Sequence, residues 1–283
     1  PEDADLTDEL RARLRDGSID TFRFEKRYLH KNGKAIWVGI TAVLKRDLNG
    51  EPLYDISMVE DISARKLAEE RVQYLATHDE MTGLPNRVLF GQLLVHALET
   101  ARRYDRKFAL MFIDLDRFKQ INDSFGHVAG DLLLQEMSRR FSVCLRASDV
   151  VARLGGDEFV VLVQDIKTRK EVASIARQLL SVVIQPLEIQ GHECRVTASI
   201  GISMFPGNGD DEKSLMKNAD IAMYFAKDEG KNNYQFFSDQ IKSHTIERLV
   251  LESQLRRALE LNEFDIHYQA KVNIRTGEIK GVE

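Results

Sequence analysis

The chain has 283 residues, of which 43% are hydrophobic, and its formal net charge is -5 at pH 7. This length is typical of about two domains, and the apolar content suffices for buried cores. The acidic excess argues against a nucleic-acid-binding surface, because phosphate backbones favour clustered lysine and arginine side chains. We therefore expect a globular protein without a nucleic-acid partner.

The sequence contains two cysteines and no long apolar run. Cys144 and Cys194 lie in apolar segments without the spacing of a zinc site, so we expect reduced core thiols. No apolar run approaches the roughly 20 residues of a membrane span, and no signal peptide opens the chain. We expect a cytoplasmic fragment of a longer protein, with no membrane contact in this segment. The sequence leaves membrane anchoring of the intact protein open.

An antiparallel meander is the first predicted structure. Strand-like patterns run from Phe22 to Glu60, and Asn-Gly turns interrupt them at Lys31 to Lys34 and at Leu48 to Glu51. With Glu60 to Ser63 following it, this pattern resembles the C-terminal half of a PAS sensor domain, which we place at residues 1–62. Any small β-sheet is the alternative interpretation.

A charged helix is predicted to follow at residues 63–77. Ala68, Val72 and Leu75 lie at i, i+4 and i+7 and form one narrow apolar stripe. Such a stripe packs either on its own domain or on the same helix of a second chain. The sequence is compatible with both arrangements.

Helix and strand patterns alternate from Leu75 to Ser238. They predict an α+β fold with a central, mainly antiparallel sheet of about five strands flanked by helices. The predicted helices are Arg87 to Arg103, Val128 to Cys144, Lys170 to Val183 and Ser214 to Glu229, and the predicted strands are Phe108 to Asp114, Val150 to Arg153, Phe159 to Val163 and Cys194 to Phe205.

Acidic residues lie at two of the predicted strand ends. Asp114 and Asp116 are two residues apart, so strand periodicity would point both carboxylates to one face. Asp157 and Glu158 follow the glycine pair 155–156 in a hairpin turn, where glycine permits unusual backbone angles. Clustered carboxylates repel one another unless a cation neutralises them, and Mg²⁺ binds carboxylates together with substrate phosphates. Taken singly, each motif is more often an exposed turn.

Residues Arg153 to Phe159, with the sequence RLGGDEF, resemble the signature of the GGDEF diguanylate cyclases. The resemblance extends over about 160 residues at several spaced motifs. Asp79 to Arg87 is similar to the family's opening motif, with Met81 in place of the usual leucine, a change that conserves volume. The other matching segments are Asp114 to His127, Gly130 to Asp131, Asn218 to Lys227 and Gly230 to Asn232.

This resemblance implies a nucleotidyl cyclase domain with a palm-like fold, at residues 78–240, that joins two GTP molecules into cyclic di-GMP. It implies Mg²⁺ or Mn²⁺ as cofactor, held by Asp114, the carbonyl of Leu115, Asp157 and Glu158. Asp157 and Glu158 form the implied catalytic pair, in which Asp157 deprotonates the ribose hydroxyl. Because the product contains two identical linkages, a homodimer is implied, with each protomer presenting one GTP to the other.

The guanine contacts follow from the same resemblance. Asn122 and Asp131 fall on guanine-reading positions, which predicts GTP rather than ATP as the substrate. Without the resemblance, the simpler interpretation of both residues is a helix N-cap.

The resemblance also implies the phosphate contacts. Phe118 and Lys119 offer backbone amides, and Lys227 and Lys231, at i and i+4, neutralise the triphosphate. Many family members have arginine at position 231, and lysine there loses the bidentate fork. Without the resemblance, the two lysines are interpreted as part of a solvated helix face.

A product-inhibition site is a further implication of the resemblance. Arg146 and Asp149 match the RxxD site at which cyclic di-GMP binds, and Arg177 matches a supporting arginine. The alternative is an exposed ion pair between Arg146 and Asp149, worth about 1 kcal/mol or less.

The last segment, residues 241–283, resembles the first helix and strands of an EAL phosphodiesterase. A helix from Glu247 carries three leucines, a strand is predicted from Phe264 to Val272, and Ala270 stands where the family usually has proline. Glu283 matches the opening glutamate of the EAL motif. A barrel of about 250 residues is needed for that chemistry, so we expect no phosphodiesterase activity in this segment. The alternative function is a GTP-binding regulatory domain that controls such a phosphodiesterase in the intact protein.

Overall fold

The computed structural model describes residues 5–283, so the first four residues of the predicted segment 1–62 lie outside the described residues. The chain forms two compact units that divide between His78 and Asp79. Among the described helices, none is both long enough and apolar enough to span a membrane. Cys144 and Cys194 are free thiols, the first half-buried and the second buried.

The first unit begins with a helix and a three-stranded antiparallel sheet. Helix α1 (Asp5–Arg15) has no counterpart in the sequence prediction. Strands β1 (Thr21–Leu29), β2 (Ala35–Arg46) and β3 (Pro52–Asp61) lie in the order β1-β2-β3, which confirms the predicted meander. The buried core of this unit consists of Leu14, Phe22, Val38, Ile40 and Ala42.

Helix α2 (Ser63–Thr77) completes the first unit. Lys66 Nζ lies 2.6 Å from Glu25 Oε2, an ion pair that connects the start of this helix to β1. No residue of α2 is buried in the described structure, and Val72 of the predicted apolar stripe is 66% exposed. Packing of the stripe on its own domain, one of the two predicted arrangements, is therefore not observed in the described residues.

The second unit alternates helices and strands, as predicted. In chain order its elements are α3 (Arg87–Tyr104), β4 (Phe108–Asp116), α4 (Phe118–Phe125), α5 (His127–Cys144), β5 (Val150–Gly155), β6 (Glu158–Val163), α6 (Arg169–Val183), β7 (Leu187–Ile189), β8 (His192–Cys194), β9 (Thr197–Phe205), α7 (Glu212–Asp228), β10 (Tyr234–Phe236), α8 (Asp239–Glu260), β11 (Ala270–Val272) and β12 (Ile279–Val282).

Five of these strands form the central sheet, in the order β10-β9-β4-β6-β5. Strand β4 lies at the centre of the sheet, where it pairs antiparallel with β9 on one side and β6 on the other, and it is buried along its whole length. Strand β10 pairs with β9 in parallel, so the sheet is mainly antiparallel. The predicted α+β fold with a five-stranded sheet is confirmed.

Side chains of β4 point alternately into two apolar layers. Met111 and Ile113 pack in the layer that contains α5 and α6, whereas Leu110 and Phe112 pack in the layer that contains α3 and α7. Asp114 continues the series of Leu110 and Phe112, since side chains two residues apart on a strand share a face. Its carboxylate is thereby directed toward the α7 layer.

The predicted elements differ from the structure mainly where elements are short or lack a partner. Helix α4 and the β7-β8 hairpin are too short to give a period, and the sequence did not indicate them. Helix α8 begins earlier than predicted, at Asp239, where the Ser238 side chain caps it. The strand predicted from Phe264 to Val272 is wrong for most of its length. Only Ala270–Val272 is a strand, and it pairs with β12.

Candidate active site

The predicted metal residues meet where β4 ends beside the β5-β6 hairpin. Asp114 on β4 lies opposite Glu158 on β6, and the Leu115 amide donates a hydrogen bond to the Asp157 carbonyl at 3.4 Å. The hairpin turn contains the glycine pair 155–156, whose φ angles of 142° and 54° favour glycine. The backbone therefore places all four predicted residues around one edge of the sheet.

Asp114 is the most deeply buried carboxylate of this group, with 8% of the residue exposed. Burial raises the pKa of Asp114 to about 6, and the nearby Asp157 and Asp116 carboxylates act in the same direction. Lys227 Nζ lies 2.8 Å from Asp114 Oδ2 and opposes the shift. A cation at this position thus stabilises the charged form of a carboxylate whose protonated form burial favours.

Asp116 is buried, and its carboxylate accepts hydrogen bonds from neighbouring elements of the fold. It accepts hydrogen bonds from Thr197 Oγ1 at 2.6 Å, Ser199 Oγ at 2.7 Å and the Asn232 amide at 3.1 Å. These bonds connect β4 to β9 and to the turn that follows α7. We therefore interpret Asp116 as a structural carboxylate, although it lies only two residues from Asp114 on the same strand.

Two residues near Glu158 were absent from the predicted site. Partial burial raises the pKa of Glu158, Arg87 opposes this shift with its Nη2 3.9 Å from Glu158 Oε2, and Asp220 adds to it. Burial also raises the pKa of Asp220, which Lys227 counteracts. Asp220 lies seven residues before Lys227 on α7, two helical turns away, so helical periodicity was the signal that could have identified it.

The oxygen atoms at this edge fit a divalent cation that arrives with a nucleotide. Within residues 5–283, no three His, Cys, Asp or Glu side chains are close enough to enclose a metal ion. The carboxylates of Asp114 and Asp157 and the carbonyl of Leu115 are the hard oxygen donors that Mg²⁺ prefers, and Mg²⁺ commonly completes its shell with waters and substrate phosphates. The donor set therefore suits Mg²⁺ or Mn²⁺ bound jointly by protein and phosphate.

Asn122 and Asp131 lie on the neighbouring helices α4 and α5. Neither residue is an N-cap, since those positions are Arg117 for α4 and Gly126 for α5, so the simpler interpretation of both residues was wrong. Asn122 Oδ1 is buried and has no hydrogen-bond partner among the described residues. A buried amide oxygen without a donor is costly, and a ligand with N–H groups, such as guanine, would satisfy it.

The phosphate contacts predicted on α4 lie at the N-terminus of that helix. Phe118 and Lys119 are its first two residues, and the first amides of a helix have no acceptor within the helix. Such amides attract anions, because the helix dipole adds to their own polarity. Lys227 belongs to the last turn of α7 and is 29% exposed at its side chain.

Lys231 does not share a helical face with Lys227. Helix α7 ends at Asp228, Gly230 has a φ of 105° and Lys231 itself has a φ of 64°. The i, i+4 relationship that the sequence predicted is therefore wrong, although the residue remains near the sheet edge. Together with Arg117 and Arg195, Lys231 lines a cavity of about 470 Å³.

In the predicted product site, Arg146 and Asp149 contact each other through the backbone of Arg146, while the two arginine side chains pair with residues outside the site. Arg146 Nη1 lies 3.4 Å from Glu171 Oε1, and the Arg146 amide donates to Asp149 Oδ2 at 3.2 Å. Arg177 Nη1 donates to the Tyr234 hydroxyl at 3.1 Å. The ion pair of Arg146 is thus with Glu171 in the described part of the chain, and not with Asp149 as the alternative interpretation had it.

Arg153 has a structural role that the sequence did not reveal. Its Nη1 donates to both carboxylate oxygens of Asp79, and its Nε and Nη2 donate to the Gly156 carbonyl at 3.1 and 2.8 Å. Asp79 also accepts from the Thr82 amide at 2.9 Å. Arg153 therefore joins the opening motif at Asp79 to the hairpin turn that contains Asp157.

Comparison with known proteins identifies a matching family and several similar proteins. The family model described as diguanylate cyclase, GGDEF domain, matches residues 76–233. The bifunctional diguanylate cyclase/cyclic di-GMP phosphodiesterase MucR of Pseudomonas aeruginosa is 46% identical over 216 residues, which are 76% of this chain and 31% of MucR. This chain therefore spans about a third of the length of that relative.

Two solved structures are also similar. The GGDEF domain of TpbB (YfiN) from Pseudomonas aeruginosa is 37% identical with a TM-score of 0.57, covering 59% of this chain and 97% of that one. The coiled coil and GGDEF domain of DgcB from Caulobacter crescentus, in complex with c-di-GMP, is 27% identical with a TM-score of 0.55, covering 61% of this chain and 93% of that one.

Proposed function

Because the chain belongs to the GGDEF family of diguanylate cyclase domains, we propose that it joins two GTP molecules into cyclic di-GMP and releases two pyrophosphates. The observation that carries this proposal is the meeting of Asp114, Leu115 and Asp157 at one sheet edge, close to the cation of Lys227. The names of similar proteins state different activities, from diguanylate cyclase to cyclic di-GMP phosphodiesterase, so the acidic edge of this chain is the part to test.

Different residues of the site bind the base, bind the phosphates, hold the metal ion and accept the proton. Asn122 and Asp131 bind guanine, while the amides of Phe118 and Lys119 and the ammonium groups of Lys227 and Lys231 bind the triphosphate. Asp114, the Leu115 carbonyl, Asp157 and Glu158 would hold Mg²⁺ or Mn²⁺. When bound, such an ion supplies charge stabilisation at the α-phosphate. Asp157 accepts the proton of the attacking 3′-hydroxyl group.

The stoichiometry of the product requires two sites. Each domain offers one GTP site, and cyclic di-GMP contains two equivalent phosphodiester linkages. Two protomers related by a two-fold axis would each present a GTP whose 3′-hydroxyl attacks the α-phosphate in the other site. We therefore propose a homodimer as the active form, with the first unit as the part that controls dimer formation.

The test is to incubate the purified chain with GTP and Mg²⁺ and to measure cyclic di-GMP by mass spectrometry. We expect product from wild type and none from Asp114→Ala or Asp157→Ala, with ATP replacing GTP as the substrate control. Asp165→Ala serves as the matched variant, because Asp165 forms an exposed ion pair with Arg106. Wild-type turnover in either site variant would refute the metal assignment.

A second function is favoured by the name of one relative. MucR carries both a diguanylate cyclase and a phosphodiesterase activity in its name, and this chain spans 31% of it. In this alternative, the domain binds GTP without converting it and regulates a phosphodiesterase elsewhere in the intact protein. Saturable GTP binding by calorimetry, together with no cyclic di-GMP after prolonged incubation, would favour this function over the first.

A further inference from the structure

We infer that Lys227 is a tethered cation, an ammonium group that pairs with the Asp114 carboxylate until nucleotide phosphates bind it instead. As a result, the binding of a metal ion and the binding of nucleotide to this chain depend on each other. The inference rests on the proposed function, since it concerns the same site. It assigns Lys227 two successive partners, the carboxylate and the triphosphate.

The ion pair between Lys227 and Asp114 is close and largely shielded from water. Nζ lies 2.8 Å from Oδ2, and the side chains are 29% and 11% exposed. Removing one partner of a shielded pair leaves an uncompensated charge, so each group has a strong preference for some partner. Displacing Lys227 from Asp114 is therefore costly unless other charges replace both halves of the pair.

Only the side chain of Lys227 is free to move. Helix α7 carries Lys227 in its last turn and packs directly on β9, where a Cβ at Gly201 would lie 1.9 Å from the Ala219 carbonyl oxygen. Ala226, the residue before Lys227, is fully buried. The helix is thus fixed, while the four-carbon lysine side chain has enough rotatable bonds to exchange one anion for another.

A metal ion and the ammonium group would compete for the same carboxylate. Mg²⁺ prefers carboxylate oxygens with a nearly ideal octahedral shell, and a carboxylate already paired with an ammonium group offers it less negative charge. Two adjacent cations also repel each other strongly where water is scarce. A metal ion that binds Asp114 without nucleotide therefore has to displace Lys227 at a cost in free energy.

Nucleotide removes this cost. The triphosphate brings several negative charges to the N-terminus of α4, and these charges provide a new partner for Lys227. With the ammonium group on the phosphates, the Asp114 carboxylate would be available to hold a metal ion. Linkage requires the converse as well, so the metal ion strengthens nucleotide binding by the same factor.

This role predicts that removing Lys227 strengthens metal binding in the absence of nucleotide. Other roles of Lys227 predict no change or weaker binding. If Lys227 bound phosphates only, its removal would leave metal binding without nucleotide unchanged. If it only stabilised the fold, its removal would weaken every binding reaction. As a tethered cation, it holds the metal site closed, so replacing it with a neutral side chain strengthens metal binding in the absence of nucleotide.

The experiment measures Mn²⁺ binding to the full chain by electron paramagnetic resonance of the free ion, with and without a GTP analogue carrying an α,β-methylene bridge. The variants are Lys227→Met and Lys227→Gln, and the matched control is Lys217→Met, an exposed lysine on the same helix. Circular dichroism verifies that each variant is folded, and Asp114→Asn verifies that the measured site is the proposed one.

Without nucleotide, we expect both Lys227 variants to bind Mn²⁺ more tightly than wild type, by about fivefold or more, the lower end of typical coupling between sites. The analogue should strengthen Mn²⁺ binding strongly in wild type and in Lys217→Met, and by a correspondingly smaller factor in the Lys227 variants. Equal or weaker Mn²⁺ binding in both Lys227 variants without nucleotide overturns the inference, even if wild type makes cyclic di-GMP. Absence of Mn²⁺ binding to wild type with the analogue overturns the proposed function and the inference together.

Discussion

Arg153 and Asp79 form a buried two-point contact, in which Arg153 Nη1 lies 3.0 and 3.1 Å from the two carboxylate oxygens of Asp79. The same guanidinium donates to the Gly156 carbonyl, next to Asp157. The position of the candidate catalytic turn therefore depends on a residue that precedes it by more than seventy positions in the chain.

Replacing Asp79 is expected to affect both stability and catalysis. Asp79→Asn leaves the buried guanidinium of Arg153 without its counter-charge, which should lower the free energy of unfolding by about 3 kcal/mol. Cyclic di-GMP formation should fall by up to roughly 100-fold, because a small displacement of Asp157 misaligns the reacting groups. Urea unfolding and initial rates provide the two measurements. The control is Asp165→Asn, which removes one charge of an exposed ion pair and should leave the free energy of unfolding and the initial rate nearly unchanged. Equal losses in the two variants would contradict this role of Arg153.

Gly130 on α5 determines whether Asn122 can keep its position. A Cβ at Gly130 would lie 2.0 Å from Asn122 Oδ1, so Gly130→Ala should displace the amide that we assign to guanine. We expect GTP to bind about 10-fold to 100-fold more weakly, the usual effect of losing a buried hydrogen-bond partner. Discrimination against ATP, measured by competition calorimetry, should fall in parallel.

A second helical glycine provides the matched control for this experiment. A Cβ at Gly91 would lie 3.0 Å from Glu212 Oε1, the end of a flexible side chain that can move aside. Gly91→Ala should therefore keep wild-type GTP affinity. If Gly130→Ala also keeps it, guanine is bound elsewhere.

Metal binding should depend on pH through Asp114. Burial raises the pKa of Asp114 to about 6, and a proton on this carboxylate competes with a metal ion. As the pH falls through about 6, the protonated fraction grows, so Mn²⁺ affinity should decline by up to about tenfold for each further pH unit. Titrations with the GTP analogue between pH 5 and about 8 test this. An affinity that stays constant down to pH 5 would show that Asp114 is not the controlling ligand.

Arg140 should contribute strongly to the stability of the second unit. Its side chain is 8% exposed, its Nε lies 2.8 Å from Glu136 Oε1, and its Nη1 and Nη2 donate to the carbonyls of Val182 at 2.9 Å and Pro186 at 3.0 Å. Arg140→Met leaves these carbonyls without their donor and Glu136 with Arg139 as its remaining partner, which should lower the free energy of unfolding by about 3 kcal/mol. Arg139→Met is the control, since Arg139 binds the same glutamate but is 64% exposed. Its effect should stay below about 1 kcal/mol, and similar losses in both variants would refute the difference.

Product feedback is expected at Arg146. Its guanidinium is 66% exposed and pairs with Glu171, so it can exchange that carboxylate for a phosphate or a guanine base. Cyclic di-GMP should bind to wild type and slow it, whereas Arg146→Ala should lose both effects and keep the uninhibited rate. Calorimetry measures the binding of cyclic di-GMP, and inhibition curves measure its effect on the rate. Undiminished inhibition of the variant would place the feedback site elsewhere.

Local periodicity was sufficient to predict most of the regular structure. The apolar run at Phe108 to Asp114 predicted a buried strand, and β4 has such a run because apolar layers cover both of its faces. The Asn-Gly turns predicted the meander of the first unit. Helix α4 was missed because eight residues span little more than two turns. The strand predicted from Phe264 failed because alternation alone does not create a strand where no neighbouring strand offers hydrogen bonds.

The sequence by itself determined the fold class, the family resemblance and the residue types of the candidate site, because these depend on short motifs and on the alternation of apolar side chains. Only the tertiary structure showed which charges meet. It separated Asp114, paired with Lys227, from Asp116, which is bound to Thr197 and Ser199, although both lie on the same strand two residues apart. It also placed Lys231 beyond the end of α7. Such contacts join residues distant in the chain, and their energies depend on burial and distance, which no local pattern records.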